Sequence, residues 1–500
     1  MLTNLLASQA AERPEQPALV TAVQTLTWYE LKEQTDRVAT GLATHEIKEG
    51  DSVALLLPNC PAFVIGFLAL ARLGAVAIPL STELKADEIR SVLQASACQT
   101  LLADNRFSEL CRSLLQDGTL LHAFLRDEED LGLPSLASVA AEATGHLRNP
   151  VPSEDSKLIE QFTSGTTGQP KRVIRTHAHL MKEASAFAAA VGTSSADRIL
   201  ATVPLSHAHG LGNCLLATLH AGATLVLQER FDRRETLRLL SQESITLFPA
   251  VPFIVSLLAD TRTREPVDLS ALRLCFTAGS ALRRETWIKM QDRLGISLRQ
   301  LYGSTETGAL TINLDENVAG TIESVGRPLD GVSIATLDEA GVFLPPGAEG
   351  EVAVQSPAAA EHTVGPQGKR PLPAPDGWIR MGDLGRLDPE GRLYLTGRKT
   401  LVINVAGRKV NPDEIESVLM EHPRVREAVV VGIRDPYGEE AVKAVVVLRE
   451  SCTIDELLTH CRERLANYKV PRIVEFRGAI PRCPTGKILR KKLMEPACVS

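Results

Sequence analysis

The stretch FTSGTTGQPK, from Phe162 to Lys171, combines two glycines, several small hydroxyl side chains and a terminal lysine. Backbone N–H groups and hydroxyls of such a loop can converge on one anion, and the lysine adds a full positive charge. A P-loop is written G-x-x-x-x-G-K-[ST], with its lysine directly after the second glycine. Here a Gln-Pro pair separates Gly168 from Lys171. The stretch therefore predicts a phosphate-binding loop of a different class.

The flanks of this loop predict a strand before it (SKLIEQF) and a segment after it whose second half is helical. Elsewhere, buried strand patterns such as DSVALLL from Asp51 and GATLVLQ from Gly222 alternate with helical patterns. This alternation predicts an α/β fold whose parallel sheets are covered by helices on both faces. The segment Glu361 to Trp378, dense in Pro and Gly, predicts an exposed loop, and GDLGRLDPEGRLYLTGRK after it predicts a hairpin.

The length of 500 residues predicts more than one domain. Near Thr400 the pattern restarts as a small α+β unit with a basic tail. We therefore expect a large N-terminal domain over 1–397 and a small C-terminal domain over 401–500, with the boundary between them at 398–400.

Composition excludes several classes of partner. A net charge of −7 argues against nucleic acid or an anionic membrane as the main partner. The apolar window from Pro61 to Leu80 is interrupted by Arg72 and Gly74, so it predicts a buried helix and a strand rather than a membrane span. Nine cysteines without C-x-x-C spacing and a start that lacks a signal-peptide pattern predict a cytoplasmic protein with reduced thiols.

Three further motifs follow the phosphate loop: YGSTETG from Tyr302, GDLGRLDPEGRLYLTGRK, and PTGKILRKKL from Pro484. In this order they resemble the motifs of the adenylate-forming superfamily, which includes acyl- and aryl-CoA synthetases, peptide-synthetase adenylation domains and firefly-type luciferases. The resemblance covers nearly the whole chain. It implies ATP, Mg²⁺ and coenzyme A as cofactors and a small carboxylic acid as substrate. The acid would be converted to acyl-AMP with release of pyrophosphate, and then to a thioester.

The resemblance implies a set of residues for ATP and AMP. They are Thr163, Ser164, Gly165, Thr166, Thr167, Gly168, Lys171, Gly279, Ser280, Tyr302, Gly303, Thr305, Asp383 and Arg398. Tyr302 would stack on adenine, and Asp383 would accept both ribose hydroxyls, with Arg398 as an added donor. Taken alone, Asp383 or Arg398 would be read as a surface charge.

Three residues are implied as catalytic: Thr305, Glu306 and Lys487. Thr305 would offer its hydroxyl to the α-phosphate, and Glu306 would bind Mg²⁺. Lys487 would meet the charge that develops between the attacking carboxylate and the α-phosphate. The alternatives without a catalytic role are a surface ion pair or helix cap for Glu306 and a solvated lysine in the basic tail for Lys487.

For the second step, the resemblance implies a rotation of the small domain about Thr400, where many relatives carry Asp or Lys. Ala406 and Gly407 would form a tight turn beside the arm of coenzyme A. His207, with Ala278, would border the acid, although a packed core histidine is an equally good reading of His207. His209 is the weaker candidate. Arg408 would face the phosphates of coenzyme A or solvent.

Three functions remain open from the sequence. The leading one is an AMP-forming acyl-CoA synthetase. The second is an acid–carrier-protein ligase, which would load the phosphopantetheine arm of a separate carrier. The third is a non-catalytic nucleotide-binding protein on the same fold.

Overall fold

The computed structural model describes residues 1–127, 132–143, 152–163, 171–263, 267–279, 282, 284–365, 367–398, 403–410, 412–434, 440–481 and 490–494. It has a large N-terminal domain and a small C-terminal domain, as the sequence predicted. Each has its own hydrophobic core.

The strands are, in chain order, β1 Pro17–Val20, β2 Thr25–Thr27, β3 Ser52–Leu56, β4 Val76–Pro79, β5 Thr100–Ala103, β6 His122–Leu125, β7 Lys157–Thr163, β8 Lys171–Thr176, β9 Arg198–Ala201, β10 Thr224–Leu227, β11 Leu247–Ala250, β12 Leu274–Thr277, β13 Leu298–Ser304, β14 Gly308–Ile312, β15 Ser324–Pro328, β16 Ser333–Leu337, β17 Gly350–Gln355, β18 His362–Gly365, β19 Gly368–Pro371, β20 Ile379–Leu387, β21 Leu393–Arg398, β22 Ile403–Val405, β23 Arg408–Val410, β24 Val425–Arg434, β25 Glu440–Leu448 and β26 Ile473–Phe476.

The α-helices are α1 Leu2–Glu12, α2 Trp28–Thr44, α3 Pro61–Leu73, α4 Ala86–Ala95, α5 Ser108–Gln116, α6 Leu136–Ala141, α7 His177–Val191, α8 Ala208–Gly210, α9 Ala217–Ala221, α10 Arg233–Gln242, α11 Pro252–Ala259, α12 Arg284–Leu294, α13 Val318–Thr321, α14 Pro412–Glu421, α15 Ile454–Arg464 and α16 Lys491–Met494. A π-helical segment, Leu211–Leu216, joins α8 to α9, and short 3₁₀ helices span Asn105–Phe107 and Asn467–Lys469.

Both large sheets are mixed. The eight-stranded sheet has the order β19-β18-β8-β7-β4-β3-β5-β6, in which β7, β4, β3, β5 and β6 run parallel. The thirteen-stranded sheet has the order β16-β17-β20-β21-β15-β14-β13-β12-β11-β9-β10-β1-β2, with a parallel part from β13 to β1. The parallel parts agree with the prediction, and the antiparallel extension of each sheet was not predicted.

Both faces of the eight-stranded sheet are buried, which explains its apolar strands. Along β3, Val53 and Leu55 belong to the main core, while Ala54 and Leu56 belong to a second core beneath α4 and α5. Because side chains alternate in direction along a strand, a strand buried on both faces is apolar throughout.

The apolar window that resembled a membrane span forms α3, which ends at Gly74 in the left-handed conformation, and the buried strand β4. Among the residues that the structure describes, no helix combines the length and apolar character that a membrane crossing requires. The helix-and-strand prediction for this window is confirmed.

The predicted loop over residues 361–378 was partly wrong, because its first half forms the hairpin of β18 and β19. This hairpin pairs with the edge of β8, through Thr363 opposite Val173 and Val364 opposite Arg172. An open strand edge presents unpaired N–H and C=O groups, and β18 satisfies them. The following hairpin, β20 and β21 around the turn from Asp388 to Gly391, is as predicted.

The C-terminal domain contains the two-stranded sheet β22-β23 and the three-stranded sheet β24-β25-β26, with α14 and α15 packed on the latter's core. Its apolar cluster runs from Ile403 to Leu465 and has no member in the N-terminal domain among the described residues. This separation of cores is what allows two domains to meet mainly through polar contacts.

Candidate active site

The phosphate loop joins two antiparallel strands. Thr163, at the end of β7, lies directly opposite Lys171, at the start of β8, and both are half-buried. The segment after the loop begins with β8, and its second half forms α7 from His177 onward, so the predicted helix is confirmed and the strand before it was not predicted. The predicted residues Ser164, Gly165, Thr166, Thr167 and Gly168 lie outside the described residues.

The motif YGSTETG forms the tip of the β13–β14 hairpin. A bulge lies between Tyr302 and Gly303, and a Cβ on Gly303 would collide with the carbonyl oxygen of Gly308. Thr305 and Glu306 occupy the turn and are half-buried. The turn is fixed from outside by the backbone N–H of Ala360, which donates to the Glu306 carbonyl oxygen at 2.8 Å.

The structure brings two residues of separate motifs into direct contact. The hydroxyl of Tyr302 donates a hydrogen bond to Asp383 Oδ2 at 2.7 Å, and both side chains are buried. Asp383, on β20, is paired across the sheet with Arg398 on β21, whose side chain lies outside the described residues. The predicted adenine-binding and ribose-binding residues are therefore neighbours, although 81 positions separate them.

The segment after β12 meets the C-terminal domain. Ala278 is buried, and Gly279 has a φ of +90°; a Cβ on it would lie 3.3 Å from the Cα of Gly407. The side-chain amide of Asn404 donates to the carbonyl oxygen of Gly279. The predicted neighbour Ser280 lies outside the described residues.

Ala406 and Gly407 form the two-residue turn between β22 and β23, in which Val405 pairs with Arg408. Their φ values are +49° and +80°. Positive φ at both central positions is the requirement of a type I′ hairpin turn, so the predicted tight turn is confirmed. A Cβ on Gly407 would lie 3.2 Å from Val251 Cγ1, which explains why glycine occupies this position.

The two candidate histidines differ in their partners. His209 is held at both ring nitrogens: Nε2 lies 2.9 Å from the Ala250 carbonyl oxygen, and Nδ1 lies 2.8 Å from the amide nitrogen of Asn213. His207 Nε2 is buried and has no hydrogen-bond partner in the described part of the chain. Burial lowers the pKa of His207 to about 4, and the positive charge of Arg408 acts in the same direction. His207 is therefore neutral at pH 7, with one unsatisfied nitrogen.

An ion pair that the sequence motifs did not indicate supports the Thr305–Glu306 turn. Arg175 on β8 and Glu183 on α7 approach to 2.5 Å, with side chains 0% and 2% exposed. Glu183 Oε1 also accepts the backbone N–H of Ala309 at 3.3 Å, and its carboxylate fills the space beside Gly308. The pair thus joins the strand after the phosphate loop to the hairpin that carries Glu306. The sequence signal for this ion pair was an arginine, Arg175, within an apolar segment typical of a buried strand.

Other predictions have no structural outcome. Lys487 and Thr400 lie outside the described residues. The described residues contain no group of three or more His, Cys, Asp or Glu side chains that could hold a metal ion.

The family of AMP-binding enzymes matches this chain over residues 6–362, and the AMP-binding enzyme C-terminal domain matches residues 414–487. Long-chain-fatty-acid–CoA ligase FadD13 of Mycobacterium tuberculosis is 32% identical over 477 residues, covering 94% of this chain and 93% of that protein. Indoleacetate–CoA ligase of Aromatoleum aromaticum is 32% identical over 496 residues, covering 97% of this chain and 96% of that protein.

Solved structures of o-succinylbenzoate CoA synthetase (MenE) from Bacillus subtilis are 29% identical to this chain. A double mutant bound with the product analogue OSB-NCoA matches with a TM-score of 0.87, covering 98% of this chain and 97% of that one. The complex with AMP matches with a TM-score of 0.72, covering 99% and 98%. Because the family matches more than half of the chain and full-length relatives exceed 30% identity, this protein belongs to the AMP-binding enzyme family.

Proposed function

We propose that this chain is an AMP-forming acid–thiol ligase. A carboxylate oxygen of the acid attacks the α-phosphorus of ATP, and pyrophosphate leaves; the sulfur of coenzyme A then attacks the acyl carbon, and AMP leaves. The observation that carries the proposal is the packing of the Ala406–Gly407 turn against Gly279, next to the β13–β14 hairpin that bears Tyr302 and Thr305. This packing brings the C-terminal domain next to residues that we assign to the nucleotide. The relatives named above as CoA ligases support the same function.

The nucleotide would be held by the residues that the motifs indicated. Tyr302 and Asp383 are already hydrogen-bonded to each other, so adenine and ribose would meet a preformed pair. Thr163 and Lys171, opposite each other at the base of the phosphate loop, would hold the phosphates with Ser164, Gly165, Thr166, Thr167 and Gly168. Gly279 with Ser280, Gly303 and Arg398 would complete the nucleotide site.

Magnesium would bind at Glu306. The carboxylate lies on a half-buried turn and has no hydrogen bond or ion pair with the described residues, and hard carboxylate oxygens suit this ion. Since no protein cage of three ligands surrounds it in the described residues, the remaining ligands would come from phosphate and water. The ion would neutralise charge on the phosphates, while Thr305 would offer its hydroxyl to the α-phosphate.

The acid would lie beside His207 and Ala278. A neutral imidazole whose buried Nε2 has no partner can donate a hydrogen bond to a carboxylate oxygen without adding a fixed charge. The same nitrogen also argues against a purely packed role, because burying a polar atom without a partner costs about 1–3 kcal/mol. The names of the relatives include aliphatic and aromatic acids, so both classes belong in the test.

The thiol would arrive along the turn formed by Ala406 and Gly407. We assign residues 1–397 to the N-terminal domain, 398–400 to a hinge centred on Thr400, and 401–500 to a mobile C-terminal domain that carries the catalytic Lys487. A cytoplasmic location is supported by the seven cysteines of the described residues, all of which are free thiols.

The test is acid-dependent exchange of pyrophosphate into ATP, measured over a panel of fatty, aryl and arylalkanoic acids, with and without Mg²⁺. The expected result is exchange that requires both Mg²⁺ and one class of acid. Coenzyme A and a phosphopantetheinylated carrier protein are then offered together, and the thioester product is identified by mass spectrometry. Exclusive loading of the carrier would replace coenzyme A as the acceptor, and absence of exchange with every acid would refute the proposal.

Lys487→Ala separates the two steps. We expect it to abolish acyl-adenylate formation, because the charge at the α-phosphate loses its counter-charge, while thioester formation from added acyl-AMP continues. Lys492→Ala, in the same basic tail, is the matched control and leaves both steps unchanged. Equal loss of both steps in Lys487→Ala would contradict the assignment.

A further inference from the structure

Two acidic side chains near the start of α4 face two cations of the C-terminal domain. Glu88 Oε1 lies 2.7 Å from Lys469 Nζ, and Glu83 pairs with Arg408. These ion pairs join positions more than 300 residues apart and cross from one domain to the other. Opposite charges are thus matched across the domain boundary at two points.

Lys469 is the centre of this contact. Its ammonium group also meets Glu414 Oε1, on α14 of its own domain, at 2.8 Å. The side chains of Lys469 and Glu88 are only 12% and 11% exposed, and that of Glu414 is 26% exposed. An ion pair with so little solvent is screened less than a surface pair, so it can bias the arrangement of the domains measurably.

The partners of Lys469 are themselves held in position. The other oxygen of Glu88 accepts the backbone N–H of Lys85 at 2.9 Å, which fixes the carboxylate at the first turn of α4. On the other side, the ring of Tyr468 lies 4.7 Å from the Arg408 guanidinium and 5.9 Å from Lys469 Nζ. Both cations therefore lie within cation–π distance of the same aromatic ring.

The contact lies next to the Ala406–Gly407 turn, because Arg408 follows Gly407 directly in the chain. When Glu83 and Glu88 hold Arg408 and Lys469, the turn lies against Gly279. The whole chain superimposes better on the product-analogue complex of MenE than on its AMP complex, with TM-scores of 0.87 and 0.72.

We propose that Lys469 is a positioning residue for the thioester-forming step: its contact with Glu88, supported by Glu83 and Arg408, selects the arrangement in which the Ala406–Gly407 turn borders the site. This proposal rests on the proposed function. If the domains separate for adenylation, the Glu88 contact breaks, whereas Glu414 moves with Lys469 and keeps the ammonium group paired. The contact is therefore specific for one of the two steps.

The test compares Glu88→Gln with Glu414→Gln in the full-length enzyme. Both changes remove one carboxylate from Lys469, and glutamine in place of Glu88 can still accept the Lys85 N–H. We expect Glu88→Gln to slow thioester formation from added acyl-AMP about tenfold, as for the loss of about 1.4 kcal/mol, without slowing pyrophosphate exchange. Glu414→Gln should leave the ratio of the two rates unchanged. Lys469→Met should act like Glu88→Gln, and Lys469→Arg should restore the rate.

An equal fall in both rates, or the same change of ratio in both glutamine variants, would overturn the proposal. Small-angle X-ray scattering of the unliganded variants provides a measurement that needs no activity. We expect Glu88→Gln to change the scattering curve while Glu414→Gln matches the wild type; identical curves for all three proteins would also overturn it. A wild type without pyrophosphate exchange would refute the proposed function, and the scattering would still decide the domain contact.

Discussion

Two ion pairs of this protein differ in their solvent exposure and in the number of partners available to their charges. One lies inside the N-terminal domain, and the other lies between the domains. Arg175 and Glu183 are fully buried and join β8 to the β13–β14 hairpin, which carries residues that we propose for the nucleotide. Lys469 and Glu88 retain some exposure, and Lys469 has Glu414 as a second partner. A pair inside a rigid core has no alternative when it is broken, whereas the pair between domains does. The comparison suggests that an ion pair that opens has a second partner for the charge that would otherwise be left unpaired.

Glu183→Ala is expected to have the largest effect. It leaves the Arg175 guanidinium buried without a counter-charge, which costs about 3–5 kcal/mol of unfolding free energy. Urea denaturation of the two proteins measures the difference. The control is the double variant Arg175→Met with Glu183→Ala, which removes both charges and should recover part of the loss. A loss below about 1 kcal/mol would mean that water reaches Arg175 and that the two pairs are alike.

The pH dependence of stability provides a reference for the comparison, because it is expected to come from a histidine that belongs to neither ion pair. Burial lowers the pKa of His177 from 6.5 to about 4, and neither of its ring nitrogens has a hydrogen-bond partner in the described residues. Between pH 6.5 and about 4, the unfolded chain therefore binds a proton at His177, whereas the folded chain does not. Stability is complete above pH 6.5 and falls as the pH drops towards 4, by about 2 kcal/mol between pH 7 and 5 for this residue.

His177→Phe tests this expectation, since phenylalanine fills the site without taking up a proton. Urea denaturation at pH 7 and at pH 5 should show a smaller drop in the variant than in the wild type. His207 and His209 also have pKa values of about 4 and remain in the variant, so a residual dependence is expected. An unchanged drop would show that His177 is already protonated in the folded state.

Lys469→Met is expected to lower the unfolding free energy by only about 1 kcal/mol, because separation of the domains lets water reach Glu88 and Glu414 once the ammonium group is gone. The measurement is the same urea titration as for Glu183→Ala. A cost as large as that of Glu183→Ala would break the comparison, since the contact between domains would then be as permanent as the core pair.

The smallest effect is expected from salt. Raising the ionic strength from about 0.05 to 0.5 M shortens the screening length to below about 5 Å. The thioester step should slow about twofold in the wild type relative to Glu88→Gln, in which the pair is absent. Rates of both proteins in matched buffers measure this. If the rate of the thioester step fell equally with salt in both proteins, the ion pair would not control that step.

The contacts that could be anticipated from the sequence are those carried by short motifs. Tyr302 and Asp383 came from separate motifs, and their contact follows once each motif is located on its hairpin. The tight turn at Ala406 and Gly407 was predictable because the requirement for positive φ is local. The parallel parts of the sheets were predictable because strands buried on both faces leave continuous apolar runs.

The remaining features depend on contacts that leave no periodic trace. Lys469 and Glu88 are 381 positions apart, and a surface lysine and a helix-start glutamate are ordinary residues when read singly. The antiparallel extensions of the sheets were missed because strand direction is not encoded in alternation. Arg175 within β8 was a visible anomaly, and it became interpretable only when Glu183 on α7 lay beside it.

The hairpin of β18 and β19 has a consequence for the behaviour of concentrated solutions. It makes β19 the outermost strand of the eight-stranded sheet, and its four residues, Gly368–Pro371, are all exposed. Lys369, Arg370 and Pro371 on this strand oppose the docking of another chain, two by charge repulsion and one by the missing amide hydrogen. The added hairpin thus pairs with the open edge of β8. It also gives the sheet an outer strand that disfavours edge-to-edge association with other chains.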